Sequence, residues 1–407
     1  MTILHLNKFY FLKGGAERYF LEVAKWQEDH GHTVVPFAMS HPQNLPTPYA
    51  KWFPSFVQTE RVGYGWQAAR TLARMTYGLD VQRSLSGLLQ QVSPQIAHVH
   101  NIYSQLSPSV FPVLRRHRIP VVMTVEDHHL VSPSYLRWDA SCGTDLMGAG
   151  VWKATKARFH KGSYLASFVQ AAVFNLHRRM GLYTKFVDRF LVASESLHAD
   201  LVKMGIPREK LTLLPFGIDE KKKRPVYGHR GYFLFVGRLS PEKGVETILK
   251  LARLLPHRSF KIVGRGPDEA RLHRLADGLQ NVQFCGFQDG RALEELYQGS
   301  IAFLMPSRFH ETFGLVALEA MAAGKPVVGS AIGSLTGLIE DRASGFLVPP
   351  LDFTGWVEAV ERLATDDVLR DQLGRYARAL VERKYRLDQH MDRLMGIYEE
   401  VARGYWS

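Results

Sequence analysis

Residues 301–330 read IAFLMPSRFHETFGLVALEAMAAGKPVVGS. IAFLMP (301–306) is apolar at successive positions, as in a strand buried on both faces. A polar loop follows, then an apolar helix that Gly324 closes, then a second strand in KPVVGS (325–330). A strand, a crossover helix and a strand is the unit from which parallel sheets are built. Upstream, YFLFVG (232–237), FKIVG (260–264) and VQFCG (282–286) repeat the rhythm. The amino-terminal half shows it too. Ile3–Leu6 reads as a strand, Gly14 and Gly15 as a turn, Ala16–Gly31 as a helix and Thr33–Phe37 as a strand; IAHVH (96–100), IPVVMTV (119–125) and RFLVAS (189–194) are further buried strands. The rhythm restarts after a polar break, FGIDEKKKRPVYGHRG (216–231). The expected fold class is α/β, with two doubly wound domains in tandem: residues 1–215, a linker at 216–230, and residues 231–385. Their ligand belongs between them, at the carboxyl ends of the strands. No repeat at solenoid or propeller spacing is present.

The chain has 407 residues, 46% hydrophobic and 22% charged, which excludes disordered and collagen-like classes and fits two domains with their own cores. Two cysteines, Cys142 and Cys285, are too few for a disulfide framework or a four-thiolate zinc site, and a reducing compartment is expected. The opening residues lack a signal-peptide layout and no run is long enough to span a membrane. The charge is one-sided. Residues 1–224 hold 28 Lys+Arg against 16 Asp+Glu, whereas residues 225–407 hold 23 of each, so the whole net charge of +12 lies in the first half. Such a field concentrates anionic partners: phosphorylated substrates, anionic lipid or nucleic acid. No nucleic-acid module accompanies it, so nucleic acid is not an expected partner.

Chemistry-bearing residues gather at the predicted strand ends. In VGRLSPEKG (236–244), Gly237 ends a strand and Arg238 and Lys243 are placed to hold a diphosphate and stabilise its departure. In IVGRGPDE (262–269), Gly264 and Gly266 allow close approach to the backbone, but Glu269 stands where a dinucleotide fingerprint needs its third glycine. A hydride-transferring enzyme is therefore disfavoured. In PSRFHETFGLVALEAMAAGKPVV (306–328), Glu311 lies in the loop; Thr312, Phe313, Gly314 and Leu315 open a helix whose free amides suit an anion. Glu319 is about two turns into that helix. Carboxylates accepting pairs of hydroxyls distinguish a sugar nucleotide from a bare phosphate.

These three groups, in this order and spacing, resemble the retaining GT-B glycosyltransferases of family 4, and the resemblance covers almost the whole chain. KGGAERYFLEVAKWQEDHGHTV (13–34), HVHN (98–101) and LLPFGID (213–219) match as well. The resemblance implies a carboxy-terminal domain that binds a nucleoside-diphosphate sugar, UDP- or GDP-linked, as donor substrate, with no cofactor and no metal. Arg238 and Lys243 would meet the diphosphate. Glu311 and the Phe313–Leu315 backbone would hold the donor sugar and phosphate, Glu319 the ribose, and the backbone near Gly266 and Phe287 the base. Gly14 and Gly15 would approach the diphosphate as the cleft closes. Transfer with retention, through same-face attack assisted by the departing phosphate, would deliver the sugar to a saccharide or lipid-linked saccharide, as in cell-surface polysaccharide or glycoconjugate synthesis. The final helix, within 386–407, would cross back onto the amino-terminal domain.

One departure stands out. Many relatives carry a histidine after the fourth strand, where this chain reads MTVEDHHLVSP (123–133), with Glu126 in its place followed by Asp127, His128 and His129. Glu126 or Asp127 is expected to activate the acceptor, or His128 to swing in; the alternative is a Glu126 that merely partners an arginine. His100 and Asn101 are further acceptor-site candidates. The basic, aromatic segment 151–190 suits either a membrane interface with anionic lipid or a core-packed helix pair. The expected location is cytoplasmic, peripheral at the inner face of the membrane. Two other readings stay open: a sugar-nucleotide epimerase or hydrolase of the same fold, and a non-catalytic relative that binds nucleotide or membrane.

Overall fold

Apolar runs with no solvent-facing alternation can form strands only where both faces are covered; such runs, joined at the edges by the less buried Leu211–Leu213 and Val282–Gly286, build two sheets of six strands each. The structure, a computed structural model, describes residues 1–58, 65–139 and 144–406; Cys142 lies outside the described residues. The first sheet contains β1 (Thr2–Leu6), β2 (Thr33–Phe37), β3 (Ile96–Val99) and β4 (Val121–Val125). A short hairpin, β5 (Trp138–Asp139) and β6 (Thr144–Asp145), interrupts it before β7 (Arg189–Val192) and β8 (Leu211–Leu213). The order is β2-β1-β3-β4-β7-β8, all parallel. The second sheet contains β9 (Tyr232–Val236), β10 (Ser259–Val263), β11 (Val282–Gly286), β12 (Ser300–Met305), β13 (Val327–Ser330) and β14 (Gly345–Val348), in the parallel order β11-β10-β9-β12-β13-β14. The expected doubly wound α/β architecture is therefore present twice. β8 and β14 were not foreseen; three- and four-residue strands are too short to show a period.

Chain direction across each sheet reverses at one crevice. In the first sheet this lies between β1 and β3, and in the second between β9 and β12. Loops leaving paired strands on either side of such a crevice diverge and leave room for a ligand. Gly14 and Gly15 follow β1 and Asn101 follows β3; Arg238 follows β9 and Glu311 follows β12. The topology thus delivers the sequence-predicted residues to two facing crevices.

The two sheets share a core. Tyr19 of the first helix, Gly15–Asp29, packs against Phe216 with centroids 4.4 Å apart, and Phe216 meets Phe313 at 5.3 Å. The last helix, Leu387–Trp406, inserts Tyr398 beneath the first sheet, where its hydroxyl meets His98 at 2.5 Å, and its Glu400 pairs with Arg189 of β7 at 2.6 Å. Segment 151–190 forms helices Val151–Ala157, Tyr164–Met180 and Leu182–Phe186. One face is core, burying Ala154, Ala171, Val173 and Phe174, while Trp152, Tyr164, Leu165 and Phe168 stay exposed. The buried face fits the core-packed helix pair expected of this segment, and the other face leaves aromatic and apolar side chains exposed. Among the described residues no helix is long and apolar enough to cross a membrane.

Candidate functional site

On the second sheet, the loop after β9 carries Gly237 and an exposed Arg238, then a single 3-10 turn, Pro241–Lys243. Gly244 ends that turn at φ 69°, and a Cβ there would overlap the Pro306 carbonyl. The loop is consequently pressed against the end of β12, which brings Lys243 to Glu311. Lys243 Nζ donates to Glu311 Oε1 at 2.8 Å and Ser307 Oγ donates to the same oxygen at 2.6 Å. Arg238, by contrast, makes no side-chain hydrogen bond or ion pair among the described residues. The neighbouring glycines serve packing. A Cβ at Gly264 would overlap the Gly237 carbonyl, and one at Gly266 the Leu239 backbone. The loops after β9 and β10 cross in backbone contact, which accounts for both glycines without a ligand. Phe287, after β11, is 62% exposed.

The helix Leu315–Ala322 starts at Gly314, whose φ of 106° suits only glycine. It begins four residues later than Glu311, so Glu319 sits little more than one turn in, short of the two turns expected from spacing. The Phe313 side chain is buried, so that this segment offers backbone amides at the helix head rather than a ring. Glu319 is 4% exposed yet not idle: Tyr297 donates to Oε2 at 2.9 Å, and Arg18 Nη1 lies 2.6 Å from Oε1. Arg18 comes from the other domain, one turn into the helix that Gly14 and Gly15 open. A Cβ at Gly15 would touch nothing within 4 Å, so space remains beside this helix head.

On the first sheet, Glu126 and Asp127 follow β4. The Glu126 carbonyl accepts from Thr312 Oγ1 at 3.0 Å, a second contact across the domain junction. The Glu126 side chain is 4% exposed, with Oε1 3.3 Å from His100 Nδ1 and Oε2 buried without a partner among the described residues. Its partner is thus a histidine rather than an arginine. Burial, reinforced by Glu17 and Asp127, pushes the Glu126 carboxyl well above the usual range, against the pull of Lys8. Asp127 is pushed up to about 6 by burial, despite accepting from the His129 amide at 2.8 Å and from Asn101 Nδ2 at 3.3 Å. His128 is buried and held to about 3 by burial, with Nδ1 unpartnered.

The predicted residues thus gather as Lys243–Glu311 and Glu319 on one wall, and His100–Glu126 and Asn101–Asp127 on the other. Glu311 and Glu319 do not share a partner. Sequence reading missed Arg18, Tyr297 and Ser307. Arg18 had one local signal, a cation one turn after two glycines; Tyr297, 22 residues from Glu319 in sequence, had none. Chemically, cations and helix amides on one wall face a Glu126 carboxyl pushed toward its neutral form and an Asp127 raised to about 6 on the other, an arrangement suited to a leaving anion and a neutral acceptor.

Comparison with known proteins converges on one family. Residues 13–222 match the model for Glycosyltransferase Family 4, and residues 218–380 that for Glycosyl transferases group 1. Alpha-D-kanosaminyltransferase of Streptomyces kanamyceticus is 35% identical over 194 residues, 46% of this chain and 48% of that protein. D-inositol 3-phosphate glycosyltransferase of Salinispora arenicola is 34% identical over 242 residues, 54% of this chain and 53% of that one. The matches span about half the length of these curated relatives. Among solved structures, HepE of Anabaena in complex with UDP and glucose superposes with TM-score 0.69 at 17% identity, covering 98% of this chain and 99% of that one. Sucrose-phosphate synthase of Thermosynechococcus elongatus gives TM-score 0.73 at 19% identity, covering 99% of each. These structural likenesses extend through both domains.

Proposed function

The chain belongs to glycosyltransferase family 4 and has the GT-B fold, and from that premise we propose that it moves a sugar, with retention, from a nucleoside-diphosphate sugar to a saccharide or lipid-linked saccharide. The observation that carries this reading is the Lys243–Glu311 pair beside the head of the helix bearing Glu319. Lys243 and Arg238 neutralise the diphosphate as it leaves, joined by the amides at Gly314 and Leu315. Glu311 accepts hydrogen bonds from donor-sugar hydroxyls, and Glu319 from the ribose once Arg18 yields. The amino-terminal domain, residues 1–215, holds the acceptor near Glu126, Asp127 and Asn101. The departing phosphate takes the acceptor proton, since the Glu126 carboxyl after β4 is shifted toward its neutral form. No metal or cofactor is required in this scheme. The UDP and glucose bound by HepE support a UDP-linked hexose as the first donor to try.

Exposed Trp152, Tyr164, Leu165 and Phe168 in the half of the chain that holds the excess positive charge support contact with an anionic membrane surface, and hence a lipid-linked acceptor. The test is release of nucleoside diphosphate from a panel of sugar nucleotides, with and without a chelator and candidate acceptors. Acceptor-dependent release that survives chelation supports the transferase. Release without acceptor points to a hydrolase, and binding without release to a non-catalytic relative.

A further inference from the structure

Beneath the first sheet lies a chain of hydrogen bonds that the scheme above does not use. It begins at the Pro215 carbonyl, which accepts from His390 Nδ1 at 2.8 Å. A carbonyl only accepts, so Nδ1 carries the hydrogen and Nε2 is bare. Tyr19, 2.9 Å from that Nε2, must donate to it. Thr124 of β4 neighbours the Tyr19 hydroxyl. His98 Nε2 lies 2.7 Å from the Thr124 hydroxyl, and His98 Nδ1 lies 2.5 Å from the Tyr398 hydroxyl. Tyr398 in turn accepts from Gln27 Nε2 at 3.4 Å, and the Met395 sulfur, 3.9 Å from the same nitrogen, agrees with that amide orientation.

Gln27 Oε1 is thereby turned toward His5 Nε2, at 2.7 Å, which must donate. His5 Nδ1 is bare and accepts from His100 Nε2 at 3.1 Å. His100 Nδ1 is bare as well, and 3.3 Å away stands Glu126 Oε1. A bare nitrogen facing a bare carboxylate would repel. The link needs one proton more.

We propose that His100 and His5, oriented by Gln27 and Tyr398, are positioning residues that keep one proton on Glu126 at neutral pH, so that Glu126 enters the cleft as a carboxylic acid. The polarity requires neutral imidazoles, and burial supplies them. It holds His5 and His390 to about 4 and His98 and His100 well below their usual value. The titratable groups around Glu126 point the same way: Glu17 from the first helix and Asp127 oppose its charge, and Tyr19, Tyr103 and the three histidines are neutral, leaving Lys8 as the opposing cation. All six ring nitrogens of His5, His98 and His100 are engaged in this chain, which leaves this three-histidine cluster no lone pair for a metal.

The consequence for transfer rests on the proposed function; the protonation state does not. A neutral Glu126 does not repel an incoming diphosphate. When positive charge develops on the sugar, the Glu126 O–H bond breaks and an N–H bond forms at His100 Nδ1. The pair becomes carboxylate and imidazolium with no proton taken from solvent.

The test uses the full chain without donor or acceptor, so it stands apart from the transferase reading. Nitrogen-15 NMR of histidine-labelled protein at about pH 6 to 8 is expected to show His5 and His100 as Nε2–H tautomers and His390 as the Nδ1–H tautomer. Infrared spectra with labelled glutamate are expected to show a protonated carboxyl at neutral pH that is lost in Glu126→Gln. His100 found as the Nδ1–H tautomer, or no protonated glutamate in the wild type, overturns the proposal. Tyr398→Phe cuts the chain far from Glu126 and frees Gln27 to turn. In the folded variant the Glu126 carboxyl is expected to ionise at lower pH than in the wild type; an unchanged titration overturns the relay, and should that variant fail to fold, the wild-type tautomers still decide.

Discussion

Arg18 and Glu319 sit in different domains, and their side chains meet at 2.6 Å across the junction. The carboxylate is nearly buried while the guanidinium is half exposed, so the pair holds the domains together weakly, worth about 0.2–1 kcal/mol. It also occupies Oε1, one of the two Glu319 oxygens that the proposed function gives to the ribose. Arg18→Ala is therefore expected to tighten nucleoside-diphosphate binding by up to about fivefold, the equivalent of that energy, whereas Glu319→Ala weakens it. Calorimetric titration checks both; equal or weaker binding by the Arg18 variant contradicts competition for Glu319.

Lys243 and Arg238 differ in a way that separates chemistry from stability. Lys243 is tied to Glu311, and Arg238 is exposed and untied. Each alanine variant should slow turnover by about 10²–10³, as for a lost oxyanion-hole donor. Only Lys243→Ala should also lower the melting temperature, because it leaves Glu311 with Ser307 as its one remaining donor. An Arg238 variant with normal turnover would remove that residue from the leaving-group site.

Gly264→Ala tests the loop crossing. A Cβ there would overlap the Gly237 carbonyl at a backbone φ of 135°. Strain and overlap together should cost about 2–4 kcal/mol, seen as a lower denaturant midpoint. Gly15→Ala, whose Cβ touches nothing in the protein, should leave stability within about 0.5 kcal/mol while impairing donor binding.

His128 titrates at about 3 when folded, because burial opposes its charge, against 6.5 when unfolded. Between those values only the unfolded chain binds the proton, so stability falls as pH drops through this window, by about 1.4 kcal/mol per pH unit for one group. His128→Asn removes that proton. Its stability relative to the wild type should rise steadily below about pH 6.5; parallel curves in chemical denaturation would show that His128 is protonated in the folded protein.

Vesicle sedimentation tests the exposed apolar face of residues 151–180. Binding to anionic vesicles should fall with added salt as the headgroup attraction is screened and should drop further in a Trp152→Ser, Leu165→Ser double variant. Binding that ignores lipid charge and both substitutions would leave this face without a lipid role.

Local pattern carried a good part of this. Apolar runs such as YFLFVG and IAFLMP announce buried parallel strands because no polar alternation interrupts them. Gly314 and Gly324 bracket a helix because φ angles of 106° and 77° belong to glycine. The place of Glu311, at a strand end beside a helix start, was legible; its bonds to Lys243 and Ser307 were not. The two glycines of IVGRG were visible, but the reason for them was not. Only the crossing of two loops shows that backbone, rather than ligand, fills the space.

Order along the chain was enough for the α/β class, the double winding and the membership of one glycosyltransferase family, since each follows from residues close in sequence. Partners distant in sequence were decided by the tertiary structure alone. Arg18 reaches Glu319, Thr312 reaches Glu126, and Tyr398 closes a hydrogen-bonded chain through His98, 300 residues away. The physical reason is that a hydrogen bond depends on which donors and acceptors folding brings within about 3 Å, and a proton's position in a buried chain depends on every link at once. A linear pattern records residue types, but not which of their atoms meet.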